Sequence, residues 1–521
     1  MIGSWPLSSL AVTRDGTHKT TDSGFSFGRL VEHARELATT PYSAPEPRYD
    51  ALLDELGYAV FRDIHTRRDR ALWRDSDLPF VVEFFHLDKN ARQPVAIHVV
   101  DHDGAARPID YDPDLFEYDD PELAERLPAD LGFAGLRIRD RTTDRERLAF
   151  KGASYFRSSG ALNQYGLSAR GVAVDTGYGS DETFPRFSEY WLFKPRPGDD
   201  TITICALLEG ERLTGAYRMQ CRLTDNVVMD IQSRLFQRES IQRLGIAPLT
   251  SMFWFSETNA RRGADWRPEI HDSDGLAMVT GSGERLWRAL DNPRHSHYSA
   301  FGDDNPRGFG LLQRDRRFDH YQDPRVRFER RPSLWVEPEG DWGPGHVGLL
   351  ELPTDEEVYD NVNAFWVPTD GGQKSSARHF DYRLYWSAEQ PHPTPVARVV
   401  STRTGRAGEP GTYRDQPPLA RKFVIDFEGG PLADLDPDFG DDGNIQVQIS
   451  ASHGEIVNPY PKQVDGTPRW RVFFDWSGTS PPDNEPVELR CLLIRGDTAI
   501  TETWLFAYFP EPLPPRVPEV S

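Results

Sequence analysis

The stretch RPEIHDSDGLAM, Arg267–Met278, gathers Glu269, His271, Asp272 and Asp274 into six residues beside apolar Leu276 and Met278. Such an acidic knot fits three chemistries. It could be an Asx-turn between strands, part of a Ca²⁺ loop of D-x-D-G type, or a loop that presents a catalytic carboxylate. An EF-hand needs further oxygen ligands downstream, and here Ala277, Met278 and Val279 follow instead. The second acidic run is LPTDEEVYDNVNAFW, with Asp355, Glu356, Glu357 and Asp360 between a strand-like stretch ending near Leu352 and another through Phe365. Alone it reads as a solvated loop. Together, the two runs supply what glycoside cleavage needs: one protonated carboxyl to donate to the leaving oxygen, and one carboxylate to activate the incoming hydroxyl. Trp254, Trp287, Trp335, Trp342 and Trp366 could stack on sugar faces, although core packing is the simpler account of any one of them.

Other chemistries lack their residues. The chain has no P-loop, no dinucleotide fingerprint, no G-x-S-x-G elbow and no H-E-x-x-H. His295 and His297 form a His-x-His without an obvious third ligand, so no metal and no cofactor is expected. The formal net charge of −22 argues against nucleic acid or an anionic membrane as partner, and suits a neutral, hydroxyl-rich substrate. Three cysteines, Cys205, Cys221 and Cys491, cannot all pair, and they read as small buried hydrophobes. No apolar run reaches the roughly 18 residues of a membrane span. The opening MIGSWPLSSLAVTRDG lacks the basic start and the apolar length of a signal peptide.

The elements that must position these residues are mostly strands. Residues 1–24 are polar and are expected to be a flexible N-terminus. In FSFGRLVEHARELA, Phe27, Leu30, Val31, Ala34 and Leu37 recur at helical spacing behind a Ser26 cap. A second short helix is expected at YDALLDELG, ended by Gly57. From about Leu78 the period changes: PFVVEFFHL, PVAIHVVD, SEYWLFKP, TITICALLEG, VVMDIQSRLF, HVGLLELP and DYRLYWSA are β-branched and aromatic runs cut by Gly, Pro and Asp. Such a run of strands predicts a large β-sandwich over 25–390. SAEQPHPTP reads as a linker. Beyond it, RKFVIDFEG, IQVQISAS, RWRVFFDW, VELRCLLIR and TETWLFAYF suit an immunoglobulin-like sandwich over 391–515, and the tail is Pro-rich. The fold class is therefore all-β, in two sandwiches.

Several long strings carry a resemblance. LGFAGLRI, GASYFR, YGLSARGVAVDT, ALLEGERLTGAY, LGIAPLTSMF, RPEIHDSDGLAM, NPRGFGLLQRDRRFDHYQD, RPSLWVEP and WGPGHVGLLELPT run nearly end to end. By these the chain resembles the osmoregulated periplasmic glucan biosynthesis proteins of types G and D. YRLYWSA, ARVVSTRTG and TETWLFAYFP bring it nearer type D. The resemblance implies a mutarotase-like N-terminal sandwich, an immunoglobulin-like C-terminal one and a periplasmic location. It also implies export by a twin-arginine signal, although no twin arginine precedes Phe25 here. The implied substrate is β-1,2-glucan, cleaved with inversion by two aspartates. By motif position these match Asp272 as the base-side carboxylate and Asp360 as the acid. Both should face one cleft, and the acid's pKa should be raised by burial or by a nearby carboxylate, with Asp355, Glu356 and Glu357 as the local candidates. Trp254, Glu269, His271, Asp274, Arg331, Trp335 and Glu357 are the candidate substrate-binding residues.

One departure concerns the acceptor. Hydrolytic relatives carry a tyrosine three residues before the arginine of Arg-Pro-Ser-x-Trp, and this chain has Phe328 before Arg331. A missing relay hydroxyl would weaken water and favour a sugar hydroxyl, giving transglycosylation and a cyclic glucan with one α-linkage; hydrolysis is the other outcome. The rival reading is a non-catalytic glucan-binding scaffold that partners a membrane glucosyltransferase. Oligomeric state leaves no sequence signal.

Overall fold

The computed structural model describes residues 24–46, 48–55, 63–179, 182–259, 265–370, 374, 376–409, 416–434, 445–482 and 485–512. The expected flexible N-terminus, apart from Gly24, lies outside them, as do Gly57 and the end of the Pro-rich tail. The described chain is nearly all β. Helix Phe27–Leu37 forms as its spacing predicts: the Ser26 hydroxyl accepts from the Arg29 amide at 3.4 Å, satisfying one of the free N–H groups of the first turn. Leu30 and Ala34 then bury against Leu207, Ala216 and Phe236 of the sheet beneath.

Strand Val227–Gln237 shows why the larger segments become sheet. Val227, Met229, Ile231, Ser233 and Leu235 point inward, and the residues between them are half-buried. This period-two pattern gives one face to the core and the other to water. Among the described residues, two large sheets result, of ten and fifteen strands. They face each other across one core, in which Phe84, Leu136, Phe150 and Val347 meet Ile204, Met219, Ile231 and Leu384. Strands Phe253–Phe255 and Ile270–His271 form a small pair beside this core.

After Ser387 the chain builds a four-stranded sheet from Arg398–Arg406, Arg421–Glu428, Arg469–Ser477 and Glu455–Gln463. It packs on strands Ile445–Ala451, Val487–Arg495 and Thr503–Tyr508. Those three do not form a separate sheet. Leu286, Trp287 and Arg288 pair in parallel with Thr503, Trp504 and Leu505, so the fifteen-stranded sheet runs through both segments. Trp287 and Trp335 lie in the C-terminal core with Phe423, Phe474 and Trp504. At 1 % exposure Trp335 offers no ring face to a sugar, which corrects its expected role in binding. Trp287, Trp342 and Trp366 are likewise buried core residues. All three cysteines are free and buried.

Candidate active site

Asp272 follows strand Ile270–His271 directly, and its amide donates to the Met252 carbonyl at 2.8 Å. Asp360 ends the loop between strands Pro344–Glu351 and Val362–Pro368. The two loops are tied to one short strand. The Asn361 side chain donates to the Phe253 carbonyl at 3.0 Å and to the Leu352 carbonyl at 2.8 Å, and it accepts from the Phe253 amide at 2.9 Å. Arg267, at the start of the acidic knot, donates to Glu357 at 2.7 Å and to Asp323 at 3.1 Å. Glu357 therefore fastens the acid loop to the knot.

The two aspartates lie within electrostatic reach of each other and of Arg331. Asp272 is buried and accepts a charge-assisted hydrogen bond from the Arg331 guanidinium. Burial pushes its carboxyl up to about 6; Arg331 works against this shift, and Asp360 adds to it. Asp360 reaches solvent, but protein surrounds it on most sides. This enclosure raises its pKa, against the opposing pull of Arg157 and Arg331. Of the two expected causes, burial is the one found; the acidic neighbours Asp355, Glu356 and Glu357 are not among the causes, and the acid loop holds Glu357 against Arg267.

His271, Glu269 and Asp274 form the buried support of Asp272. The His271 ring lies 3.2 Å from Glu269 through Nε2, and 3.0 Å from Gln313 and 3.3 Å from Asp274 through Nδ1. It also stacks on Phe253, with centroids 5.5 Å apart. Burial disfavours its charge, but the Glu269 hydrogen bond and the carboxylates of Asp274, Glu269 and Glu257 outweigh this and raise it to about 9. Asp274 accepts from the Arg314 and Asp315 amides. At 1 % exposure, His271 cannot be a direct sugar ligand; with buried Glu269 it fixes the loop below Asp272, a correction to the expected part of these two in substrate binding, while half-buried Asp274 braces the His271 ring. Phe328 is buried, stacks on Tyr321 and lies 4.3 Å beneath the Arg331 guanidinium. Its ring positions the arginine that holds Asp272. Trp254 turns elsewhere: with Thr404, Gly405 and Tyr508 of the C-terminal segment it lines a cavity. Among the described residues, Glu269, Asp315 and His320 bring three donor atoms within 4.8 Å of one another, although Asp315 and His320 are already hydrogen-bonded together.

A family model described as "Periplasmic glucan biosynthesis protein, MdoG" matches residues 25–508. The chain belongs to this family. It is 45 % identical over 495 residues to glucans biosynthesis protein D of Stenotrophomonas maltophilia strain K279a, covering 94 % of this chain and 90 % of the relative. It is 42 % identical over 496 residues to a probable glucans biosynthesis protein D of Shewanella oneidensis, with the same coverage. Glucans biosynthesis protein D 2 of Ralstonia nicotianae is 45 % identical over 499 residues, covering 93 % of this chain and 91 % of the relative. A solved polysaccharide lyase aligns at a TM-score of 0.22 with 8 % identity, over 72 % of this chain and 44 % of the lyase, and carries no argument. Among the described residues, no helix of this family member is long and apolar enough to cross a membrane.

Sequence reasoning missed four residues of the site. Arg157 lies in GASYFR on strand Tyr155–Ser158, with its side chain exposed toward Asp360. Its outward position in an alternating strand was the signal. Asn361 directly follows Asp360, and only its bonds to Phe253 reveal that it joins the loops. Trp266 and Tyr359 are 67 % and 60 % exposed. Each is next in the chain to a residue of the site's framework, Arg267 or Asp360; what the sequence does not disclose is that their rings stay exposed.

Proposed function

We propose that the protein works in the periplasm on the β-1,2-linked glucose backbone of osmoregulated glucans, as an inverting two-aspartate enzyme. One observation carries the reading. Two carboxylates from loops far apart in sequence are both raised by enclosure, and both feel Arg331. Pairs of acids held in this way are what inverting glycoside chemistry uses. Arg157 and Arg331 flank Asp360, and exposed Trp266 and Tyr359 offer ring faces to a glucan lying across the site.

In the proposed reaction Asp360 gives its proton to the glycosidic oxygen as the C1–O bond breaks. An acceptor hydroxyl attacks C1 from the opposite face, and its proton passes to the Asp272 carboxylate, directly or through a relay. Enclosure raises the Asp360 pKa, which is the direction a proton donor needs. Glucan lying over Asp360 would enclose its carboxyl further and raise it again. Buried Asp272, paired with Arg331, remains the carboxylate above about pH 6.

Phe328 decides the acceptor. Its ring supports Arg331 and has no hydroxyl to relay a proton from water. A glucose hydroxyl held by the substrate's own binding energy gains over water under those conditions. Transfer is the expected outcome, with ring closure when donor and acceptor share one chain. The test is mass spectrometry of products from linear β-1,2-glucan: a cyclic product weighs one water less than its linear counterpart. Only linear fragments would mean hydrolysis, and unchanged glucan would mean that the protein is a scaffold.

A further inference from the structure

A cavity of about 730 Å³ opens between the N-terminal and C-terminal segments. Trp254 and Glu257 form one wall, Asn292 and Asp355 another, and Tyr508 and Phe509 close it from the C-terminal segment. Its volume lies within the usual range of ligand sites, roughly 300–1,000 Å³. It shares chain elements with the catalytic region: Asp355 belongs to the loop that carries Asp360, and Trp254 to the strand that ties both loops together.

Its chemistry narrows the ligand. Four acids line it, Asp291, Asp355, Glu511 and Glu257, the last raised by burial to about 8 and so largely protonated at neutral pH, against two cations, Arg294 and Arg421. Arg294 is ion-paired with Glu511 at 2.6 Å across the mouth. Arg421 donates to the Tyr508 hydroxyl at 3.2 Å and the Glu511 carbonyl at 3.0 Å. A phosphate or carboxylate would meet net negative charge there with both cations already engaged. A neutral ligand with many hydroxyls and an apolar ring face meets carboxylate acceptors and the rings of Trp254 and Phe509. We propose that this cleft is a second glucan site, which holds a short run of β-linked glucose outside the catalytic cleft. The proposal rests on the glucan reading above and adds a purpose. One chain held at both sites has its free end confined near the reacting bond, so the effective concentration of its own hydroxyls rises. This favours transfer within the chain.

Gly405 gives a clean test. It lines the cleft, a Cβ built on it meets nothing within 4 Å, and its backbone is not left-handed. Gly405→Trp should therefore fill the cleft without disturbing the fold. Calorimetric titration with β-1,2-linked glucotriose, too short to span both sites, is done on the full chain carrying Asp360→Asn. Two sites are expected, with one lost on adding Gly405→Trp and the other lost on adding Arg331→Ala instead. Long glucan should bind the Gly405→Trp chain at least about tenfold more weakly. Should that variant fail to fold, Phe509→Ala at the half-buried rim replaces it and should weaken the same site. A single site that ignores both cleft variants but disappears with Arg331→Ala would overturn the second site and leave the proposed function standing. No glucotriose binding at all would overturn both.

Discussion

Asp272 must be ionised to accept a proton, and burial works against that. Its carboxyl is pushed up to about 6 even with Arg331 bound to it. kcat/KM reports the free enzyme, so it should climb about tenfold per pH unit below about 6, where Asp272 ionises, and fall again at higher pH where Asp360 loses its proton. Arg331 holds Asp272 down, so Arg331→Ala should move this acid limb to higher pH as well as weaken binding. An unmoved limb in a pH–rate profile would separate Arg331 from Asp272. Phe328 is the second test at this scale. Phe328→Tyr supplies the hydroxyl that resembles the hydrolytic pattern, and it should raise the share of new reducing ends at the expense of transfer product, measured on linear β-1,2-glucan. An unchanged product ratio would make Phe328 a packing residue only.

At the scale of elements, buried tryptophans separate core from site. Trp335 sits on strand Ser333–Glu339 in the core shared with Phe423, Phe474 and Trp504. Trp335→Ala should cost about 3–5 kcal/mol of stability in denaturant unfolding. Glucan affinity per folded molecule should stay unchanged; selective loss of affinity would return Trp335 to the site. The strands were legible in the sequence because alternation, as in Val227–Gln237, directly encodes a half-buried strand. The helix at Phe27–Leu37 and its Ser26 cap were legible for the same local reason. Asp272 and Asp360 were legible as acidic runs, but not as partners, since their meeting depends on Phe253 and Asn361. Whether Trp254 or Trp335 faces ligand or core was illegible, because both sit in apolar runs and only tertiary packing decides. Of the two causes expected for the Asp360 shift, burial acts and the sequence-adjacent carboxylates do not: Glu357 turns to Arg267 and Asp355 lines the cavity beside Trp254.

The whole molecule is one mechanical unit across the two sandwiches. The long sheet continues from Leu286–Arg288 into Thr503–Leu505. Arg314 makes two 2.8 Å bonds to buried Glu502, while the Arg314 amide holds Asp274 beneath the catalytic loop. Removing one partner of such a buried pair costs about 3–5 kcal/mol. Glu502→Ala should therefore lower stability by that amount and lower kcat, and calorimetry of the full chain should show one unfolding transition. Two separate transitions, with an active N-terminal segment alone, would contradict a shared unit. The paired aspartates remain the centre of the account, and turnover of linear β-1,2-glucan by the Asp360→Asn variant beside the parent chain tests them most directly. The account predicts turnover by the parent, and a variant that still binds glucan but turns it over about 10²–10⁴-fold more slowly; near-normal turnover by the variant, or none by the parent, would contradict it.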